Sequence, residues 1–179
     1  YDKVAGFKYY LAYRDNAMSN RGTVYAYYEL SNAWETVGPQ GFTSLSVENF
    51  KMVVDNSNNI YVAYKNVSGH LALQKYSSAT WSANLLSTNY LTGDLDIGVD
   101  VNNDIFIAFQ DLVLDSSNTK LSVLKYDVTA SSFSFIGGQR FTAGNTHQPT
   151  IEIDRDGDVI VGFREADIIE TDTESLLRP

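Results

Sequence analysis

The sequence of 179 residues contains no cysteine, so disulfide bonds, thiol catalysis and cysteine-bound zinc are excluded. It has only two histidines, and they lie too far apart in the sequence to form the short spacings typical of metal sites. No apolar run approaches the roughly 18 residues that a membrane-spanning helix needs. We therefore expect no membrane insertion, and no cofactor held through thiolates.

Basic residues are scarce as well. The 13 lysines and arginines are outnumbered by 22 aspartates and glutamates, which gives a formal net charge of −9. The basic residues are scattered along the chain, and an acidic surface repels phosphate backbones. We expect no nucleic-acid partner.

Strand-forming and turn-forming residues dominate what is present. Hydrophobic residues make up 44% of the chain, which predicts a folded domain, and 12 residues are tyrosine. Tyrosine, threonine and valine favour strands, whereas asparagine, serine, aspartate and glycine favour turns. With only three prolines and many short polar stretches, the composition predicts an all-β protein.

One unit recurs along the chain. Its copies are "VVDNSNNIYVAYKN" (53–66), "GVDVNNDIFIAFQD" (98–111) and "EIDRDGDVIVGFRE" (152–165), and "YYLAYRD" (9–15) repeats the strand alone. After the strands in 9–15, 53–66 and 98–111, two further short strands follow. The first of them ends in "YAYYEL" (25–30), "LALQKY" (71–76) and "LSVLKY" (121–126), respectively. A unit of four short strands that recurs about every 50 residues is typical of a β-propeller.

The pattern resembles the propeller repeats of secreted and surface proteins, in which a D-x-x-[GN]-[ND]-[IV]-[YF]-V-A turn is followed by a W-x-x-V-G strand. The resemblance covers most of residues 8–165. It implies a β-propeller and an extracellular or cell-surface location. It indicates no subfamily, because the Trp-Asp dipeptide, the kelch glycines, the sialidase-type S-x-D-x-G-x-T-W box and the Y-W-T-D motif are all missing.

We predict a single β-propeller region over residues 1–179, with about 3.5 four-stranded blades. Blade 1 is partial (1–42), blades 2 and 3 cover 43–90 and 91–142, and blade 4 is partial (143–179). Uncovered sheet edges promote aggregation. We therefore expect another chain, or a further segment, to cover the open blade edges.

A polar pair ends each copy of the repeated strand, and the loops that follow differ in length. Loops on a rigid scaffold often carry binding sites, whereas the pairs could equally cap the turns that follow them. The candidate ligand-binding residues are Arg14, Asp15, Lys65, Asn66, Gln110, Asp111, Arg164 and Glu165. Tyr90, Phe141 and His147 join them because they lie in connections between units and do not repeat.

An acidic loop offers a candidate calcium site at Asp154, Asp156 and Asp158. The equivalent turns start at Asp55 and Asp100 and carry fewer carboxylates. Asn58, Asn103 and Gly157 occupy one position, and these residue types tolerate a left-handed backbone. We therefore interpret the acidic loop as a structural turn, with calcium as the competing interpretation and no other cofactor expected.

Three functions remain open from the sequence. The first is a non-catalytic binding or assembly module that recognises a protein or glycan through loops on one propeller face. The second is a glycosidase or lyase at the channel mouth, with carboxylates such as Asp15, Asp111 and Glu165 in acid–base roles. The third is a structural subunit of a filament or a larger surface protein.

Overall fold

The computed structural model describes residues 8–112 and 119–166. Within these ranges, thirteen strands form four antiparallel sheets, and a 3-10 turn (Asn16–Met18) follows the first strand. Sheet 1 contains β1 (Lys8–Asp15), β2 (Arg21–Tyr28) and β3 (Ala33–Thr36). Sheet 2 contains β4 (Val47–Val54), β5 (Ile60–Asn66), β6 (Leu71–Ser77) and β7 (Thr80–Trp81). Sheet 3 contains β8 (Leu91–Val99), β9 (Ile105–Leu112), β10 (Thr119–Asp127) and β11 (Ser132–Phe135), and sheet 4 contains β12 (Thr146–Ile153) and β13 (Val159–Glu165).

Each sheet is a simple meander in which strands that follow one another in sequence are hydrogen-bonded neighbours. The first strands of sheets 2, 3 and 4 lie close together, with β8 between β4 and β12. We call β4, β8 and β12 the inner strands. This arrangement confirms the predicted all-β, propeller-like fold, while the number of blades stays a prediction. The described residues include no helix of the length and apolarity that crossing a membrane requires.

The hydrophobic core is divided into three layers, one between each pair of adjacent sheets. The layer between sheets 1 and 2 includes Val24, Val62 and Tyr64. The layer between sheets 2 and 3 is the largest and includes Tyr61, Leu73, Ile107 and Phe109. The layer between sheets 3 and 4 includes Phe106, Ala108, Val123 and Ile151. Successive residues of one strand point to opposite faces, so β5 and β9 each contribute to two layers.

This double burial explains why "IYVAY" and "IFIAF" are continuous apolar runs. Ile60 to Tyr64 and Ile105 to Phe109 are buried at every position. A strand covered on both faces has no solvent side for polar residues. The continuous apolar pattern therefore reflects the position of these strands between neighbouring sheets.

The three aspartate turns share one conformation. The carboxylate Oδ1 of Asp55, Asp100 and Asp154 accepts hydrogen bonds from the backbone N–H groups two and four residues later, at 2.8–2.9 Å. Asn58, Asn103 and Gly157 have φ values of 61°, 70° and 91°. The acidic loop therefore has the predicted turn conformation, since the side chain satisfies backbone donors in all three copies. Calcium binding at this loop stays a prediction.

Some strand boundaries differ from those in the sequence prediction. β2 ends at Tyr28 and not at the predicted Leu30, because residues 29–32 form the turn that leads to β3. The fourth strand of sheet 2 is reduced to Thr80–Trp81. Beyond it, the side chains of Ser82 and Asn84 accept hydrogen bonds from the backbone N–H groups of β6, which replaces part of the expected strand pairing.

Candidate functional site

The three inner strands are irregular at the same position. The pairing register shifts between Glu48 and Lys51 in β4, between Thr92 and Leu95 in β8, and between His147 and Thr150 in β12. Within these bulges, Asn49 and Gln148 have left-handed φ values of 48° and 51°. Such conformations cost free energy in residues other than glycine, and they cluster at functional sites.

Residues of the three bulges line a cavity of about 290 Å³, which we call the inner-strand pocket. Its lining consists of Asn49, Lys51, Asp94, Leu95, Gln148, Pro149 and Thr150. Three sheets contribute to it, so it depends on the assembled fold and not on one loop. Amide, carboxylate, ammonium and hydroxyl groups converge there.

Hydrogen bonds and an ion pair join the three sheets around this pocket. Asn49 Nδ2 donates to the carbonyl oxygen of Gly93 at 3.1 Å and to Asp94 Oδ1 at 3.2 Å. Lys51 Nζ lies 3.5 Å from Asp96 Oδ1, and Asp96 Oδ2 accepts from the backbone N–H of Ile151 at 3.1 Å. Asn49 Oδ1 and Asp94 Oδ2 make no hydrogen bond to residues 8–112 or 119–166, so both can accept one from a ligand.

The side chain of Gln110 is hydrogen-bonded to two of the three strands that form the inner-strand pocket. Its buried side chain accepts a hydrogen bond from the backbone N–H of Asp94 through Oε1 at 2.7 Å. Its Nε2 donates to the carbonyl oxygen of Thr146 and lies 3.2 Å from His147 Nδ1. A Cβ atom on Gly93 would come within 2.3 Å of Gln110 Oε1, so this contact requires glycine. Gln110 thereby fixes the backbone of both β8 and β12.

The second member of each sequence-predicted polar pair satisfies groups of its own sheet or of the adjoining connection. Asp15 accepts from the Ala17 N–H and the Thr23 hydroxyl, and Asn66 accepts from the N–H groups of Ser68 and His70. The two other members do the same. Asp111 accepts from the Ser122 hydroxyl and Gln139 Nε2, and Glu165 from the Gly144 N–H.

The first members of the pairs have different surroundings. Arg14 and Arg164 are exposed, Lys65 pairs with Glu48 at 2.7 Å, and Gln110 supports the inner-strand pocket as described above. Two of the loops that follow the pairs lie wholly or mostly outside the described residues, at 113–118 and 167–179. The ligand-binding role of the pairs therefore stays a prediction.

The three unpaired candidates also differ. His147, which was predicted to lie in a connection, lies within β12 and contacts Gln110. Tyr90 packs against Phe109 and Phe135 at the edge of the layer between sheets 2 and 3. Phe141 is exposed and borders a cavity with Ile136, Val159 and Val161. Of these three residues, only His147 lies next to the inner-strand pocket, where it contacts Gln110.

The sequence contained a signal for the pocket. Asn49, Asp94 and Gln148 each lie six residues before a turn aspartate, and Lys51, Asp96 and Thr150 each lie four residues before it. Each inner strand thus carries polar residues at the same two positions relative to its turn. Aligning the inner strands from the turn would have found them. No group of three or more histidine, aspartate and glutamate residues within the described ranges could hold a metal ion.

No family model and no curated protein sequence matches this chain. Solved structures do match. A fucose lectin from Kordia zhangzhouensis, in complex with methyl-fucoside, has a TM-score of 0.51 at 14% identity, over 73% of this chain and 90% of the lectin. The NanB sialidase from Streptococcus pneumoniae has a TM-score of 0.57 at 14% identity, and the intramolecular trans-sialidase from Ruminococcus gnavus has 0.55 at 14%.

The match covers 92% of this chain but 27% of the NanB sialidase, and 89% of this chain but 36% of the trans-sialidase. The chain thus corresponds to about a third or less of each sialidase. At such low identity the similarity concerns the fold alone. The structures to which this chain is similar include a lectin and sialidases.

Proposed function

We propose that this chain is a non-catalytic binding module of a propeller-like protein and that it holds a glycan in the inner-strand pocket. The observation that carries the proposal is the convergence of polar groups from three bulged strands on one cavity. Asn49 Oδ1 and Asp94 Oδ2 offer acceptors to sugar hydroxyls. The similarity to a fucose lectin and to sialidases supports a carbohydrate ligand.

The charges of the pocket favour an uncharged sugar. Its ammonium group, on Lys51, is already paired with Asp96, and Asp94 adds a negative charge. Recognition of a carboxylate or sulfate typically uses arginine or lysine groups that are available to the ligand. We therefore propose a neutral glycan as the ligand class. The repeat resemblance supports an extracellular or cell-surface location for such a module.

The test is binding to a glycan array of neutral, sialylated and sulfated sugars, followed by calorimetry with the best ligand. Asp94→Asn and Asn49→Ala should each weaken binding about tenfold, which corresponds to about 1.4 kcal/mol for one lost hydrogen bond. Asp156→Asn, in an exposed turn outside the pocket, is the matched control and should bind like the wild type.

Several results would contradict the proposal. The array could show no binding to any neutral sugar, or the two pocket variants could bind as the wild type does. Release of a shortened glycan during the assay would indicate a hydrolase or lyase instead. Binding confined to sialylated or sulfated sugars would remove the proposed ligand class and keep the binding role.

A further inference from the structure

Sheet 1 presents an aromatic face that no described residue covers. We call it the outer face of sheet 1, and it comprises Tyr9, Leu11, Tyr13, Tyr25, Tyr27 and Trp34. Tyr9 is 55% exposed, and Leu11 and Trp34 are each 50% exposed. Leu11, Tyr13, Tyr25 and Trp34 line a cavity of about 350 Å³ on this face. A continuous apolar patch of this kind marks an interaction surface.

The repeat shows what such a face contacts in this fold. With Ala12, Ala63 and Ala108 in register, Leu11 corresponds to Val62 of β5 and to Ile107 of β9. Val62 packs against sheet 1, and Ile107 packs against sheet 2. The neighbouring positions behave in the same way, since Tyr64 and Phe109 correspond to Tyr13. In each covered copy, this face is buried by the preceding sheet of the repeat.

The tyrosine hydroxyls of this face already have partners inside sheet 1 and its flanking turns. Tyr9 donates to Glu29 at 3.1 Å, Tyr27 to Asn32 at 2.6 Å and Tyr13 to Asp15 at 3.3 Å, while Tyr25 accepts from Gln40 at 2.5 Å. Covering the rings would therefore leave no buried hydroxyl without a hydrogen-bond partner. This favours an apolar sheet as the occupant over a sugar, which would need free polar groups.

Sheet 4 presents the complementary surface at the other end of the stack. Ile160 and Gly162 of β13 correspond to Tyr61 and Ala63 of β5 and to Phe106 and Ala108 of β9. Those residues are buried against the sheet that follows them. Ile160 is instead 56% exposed, and Thr150 and Glu152 lie beside Gly162 and Ile160 on the same face. We call this the outer face of sheet 4.

We propose that the outer face of sheet 1 binds the outer face of sheet 4 of a second copy of this chain, head to tail. The contact would continue the sheet-on-sheet packing that already joins sheets 1 to 4. It uses two different surfaces, so it is heterologous, and repetition gives a closed ring or an open filament according to the rotation between copies. The inference goes beyond the proposed glycan-binding role and does not depend on it.

The test combines two variants, each of which disables one face. Leu11→Asp and Ile160→Asp change exposed residues, so both should fold, which circular dichroism and urea unfolding would verify. Wild-type protein should assemble at about 100 µM in light scattering after size exclusion, a concentration that populates complexes of modest affinity. Each variant alone should be monomeric, and an equimolar mixture should form dimers and nothing larger, because one intact pair of faces remains. Val101→Asp, at an exposed apolar residue outside both faces, should assemble as the wild type does.

Three outcomes would overturn the inference. The wild type could stay monomeric at this concentration. It could assemble while Ile160→Asp has no effect, which would show that two sheet 1 faces meet each other. Finally, a monomer whose Trp34 fluorescence responds to oligosaccharides would assign the outer face of sheet 1 to a glycan.

Discussion

Trp81 of sheet 2 donates its indole N–H to the carbonyl oxygen of Val37, which follows β3 of sheet 1, at 3.0 Å. The same ring stacks on Phe42 with 3.7 Å between centroids and 3° between planes. This residue of the shortest strand therefore joins two sheets through both a hydrogen bond and a ring contact.

Trp81→Phe should lower the free energy of unfolding by about 1 kcal/mol, because it keeps a ring on Phe42 and loses the hydrogen bond to Val37. Trp81→Ala should cost about 3 kcal/mol, since the stacked ring also disappears. Urea unfolding measures both. Trp34→Phe, on an exposed face, is the control and should change stability by less than about 0.5 kcal/mol. Equal losses of stability in Trp34→Phe and Trp81→Phe would contradict the role of Trp81 in joining sheets 1 and 2.

Two buried tyrosines of β5 should respond in opposite directions to loss of the hydroxyl. Tyr61 Oη is buried and has no hydrogen-bond partner among the residues that the structure describes. Tyr64 Oη donates to Gln74 Oε1 at 2.7 Å, and burial raises the pKa of Tyr64 to about 12. Tyr61→Phe should therefore leave stability unchanged or raise it by up to about 1 kcal/mol, whereas Tyr64→Phe should cost about 1–2 kcal/mol.

Thermal and urea unfolding of the two tyrosine variants provide the measurement, with each variant serving as the other's control. Both substitutions remove a single oxygen atom from the same strand. A loss at Tyr61 as large as that at Tyr64 would mean that the Tyr61 hydroxyl has a partner in solution, such as a water molecule.

The ion pair between Asp104 and Lys125 should make stability depend on pH. Burial opposes ionisation of Asp104, but hydrogen bonds from Lys125 Nζ at 2.7 Å and from the Val128 N–H at 3.0 Å outweigh it, so its pKa lies below the usual value. The hydrogen bond to Asp104 raises the pKa of Lys125, against an opposing effect of burial. The Asp104 contribution is complete above about pH 4 and is lost as the pH falls through the folded-state pKa.

The contribution of Lys125 to stability depends on pH in the opposite direction. It is complete below the ordinary lysine pKa of about 10.4 and is lost as the pH rises through the raised folded-state value. Lys125→Met should therefore cost about 1–2 kcal/mol near neutral pH and flatten the loss of stability in acid. Lys65→Met breaks a more exposed pair with Glu48 and should cost at most about 0.5 kcal/mol. An unchanged acid profile for Lys125→Met would refute this role of the pair.

Calcium should not change the melting temperature. The Asp154 carboxylate already accepts two backbone N–H groups, as Asp100 does in a turn with fewer acidic neighbours. Asp100→Ala and Asp154→Ala should therefore lower stability by similar amounts, about 1–2 kcal/mol, with or without a chelator. A melting shift that requires calcium and disappears in Asp156→Asn would show a metal site instead.

Much of the fold was predictable because the repeat marks its own strands. β5 and β9 each lie between two sheets, so their buried positions form unbroken apolar runs. These runs recur, and comparing the sequence with itself detects them. The aspartate turns repeat because each needs one carboxylate and one residue that tolerates a positive φ. Strand ends were less predictable, as β7 shows, because side chains of Ser82 and Asn84 take over backbone hydrogen bonds.

The candidate site was harder to predict because bulges create it. A bulge changes which face each residue of an inner strand points to, so simple alternation does not reveal the positions of Asn49, Asp94 and Gln148. The pocket also needs three sheets that are far apart in the sequence. Residues at the ends of β1, β5, β9 and β13 looked more conspicuous, yet Asp15 and Asp111 are buried in local hydrogen bonds.

The division of the core into three layers makes the chain a linear array with nearest-neighbour coupling. Each layer joins two adjacent sheets, and β5 and β9 transmit cooperativity because each enters two layers. Sheets 1 and 4 are each held by one layer, whereas sheets 2 and 3 are held by two. Amide hydrogen exchange should consequently be slowest in β5 and β9 and faster towards both ends of the array. Any partner that caps an end would slow exchange there first.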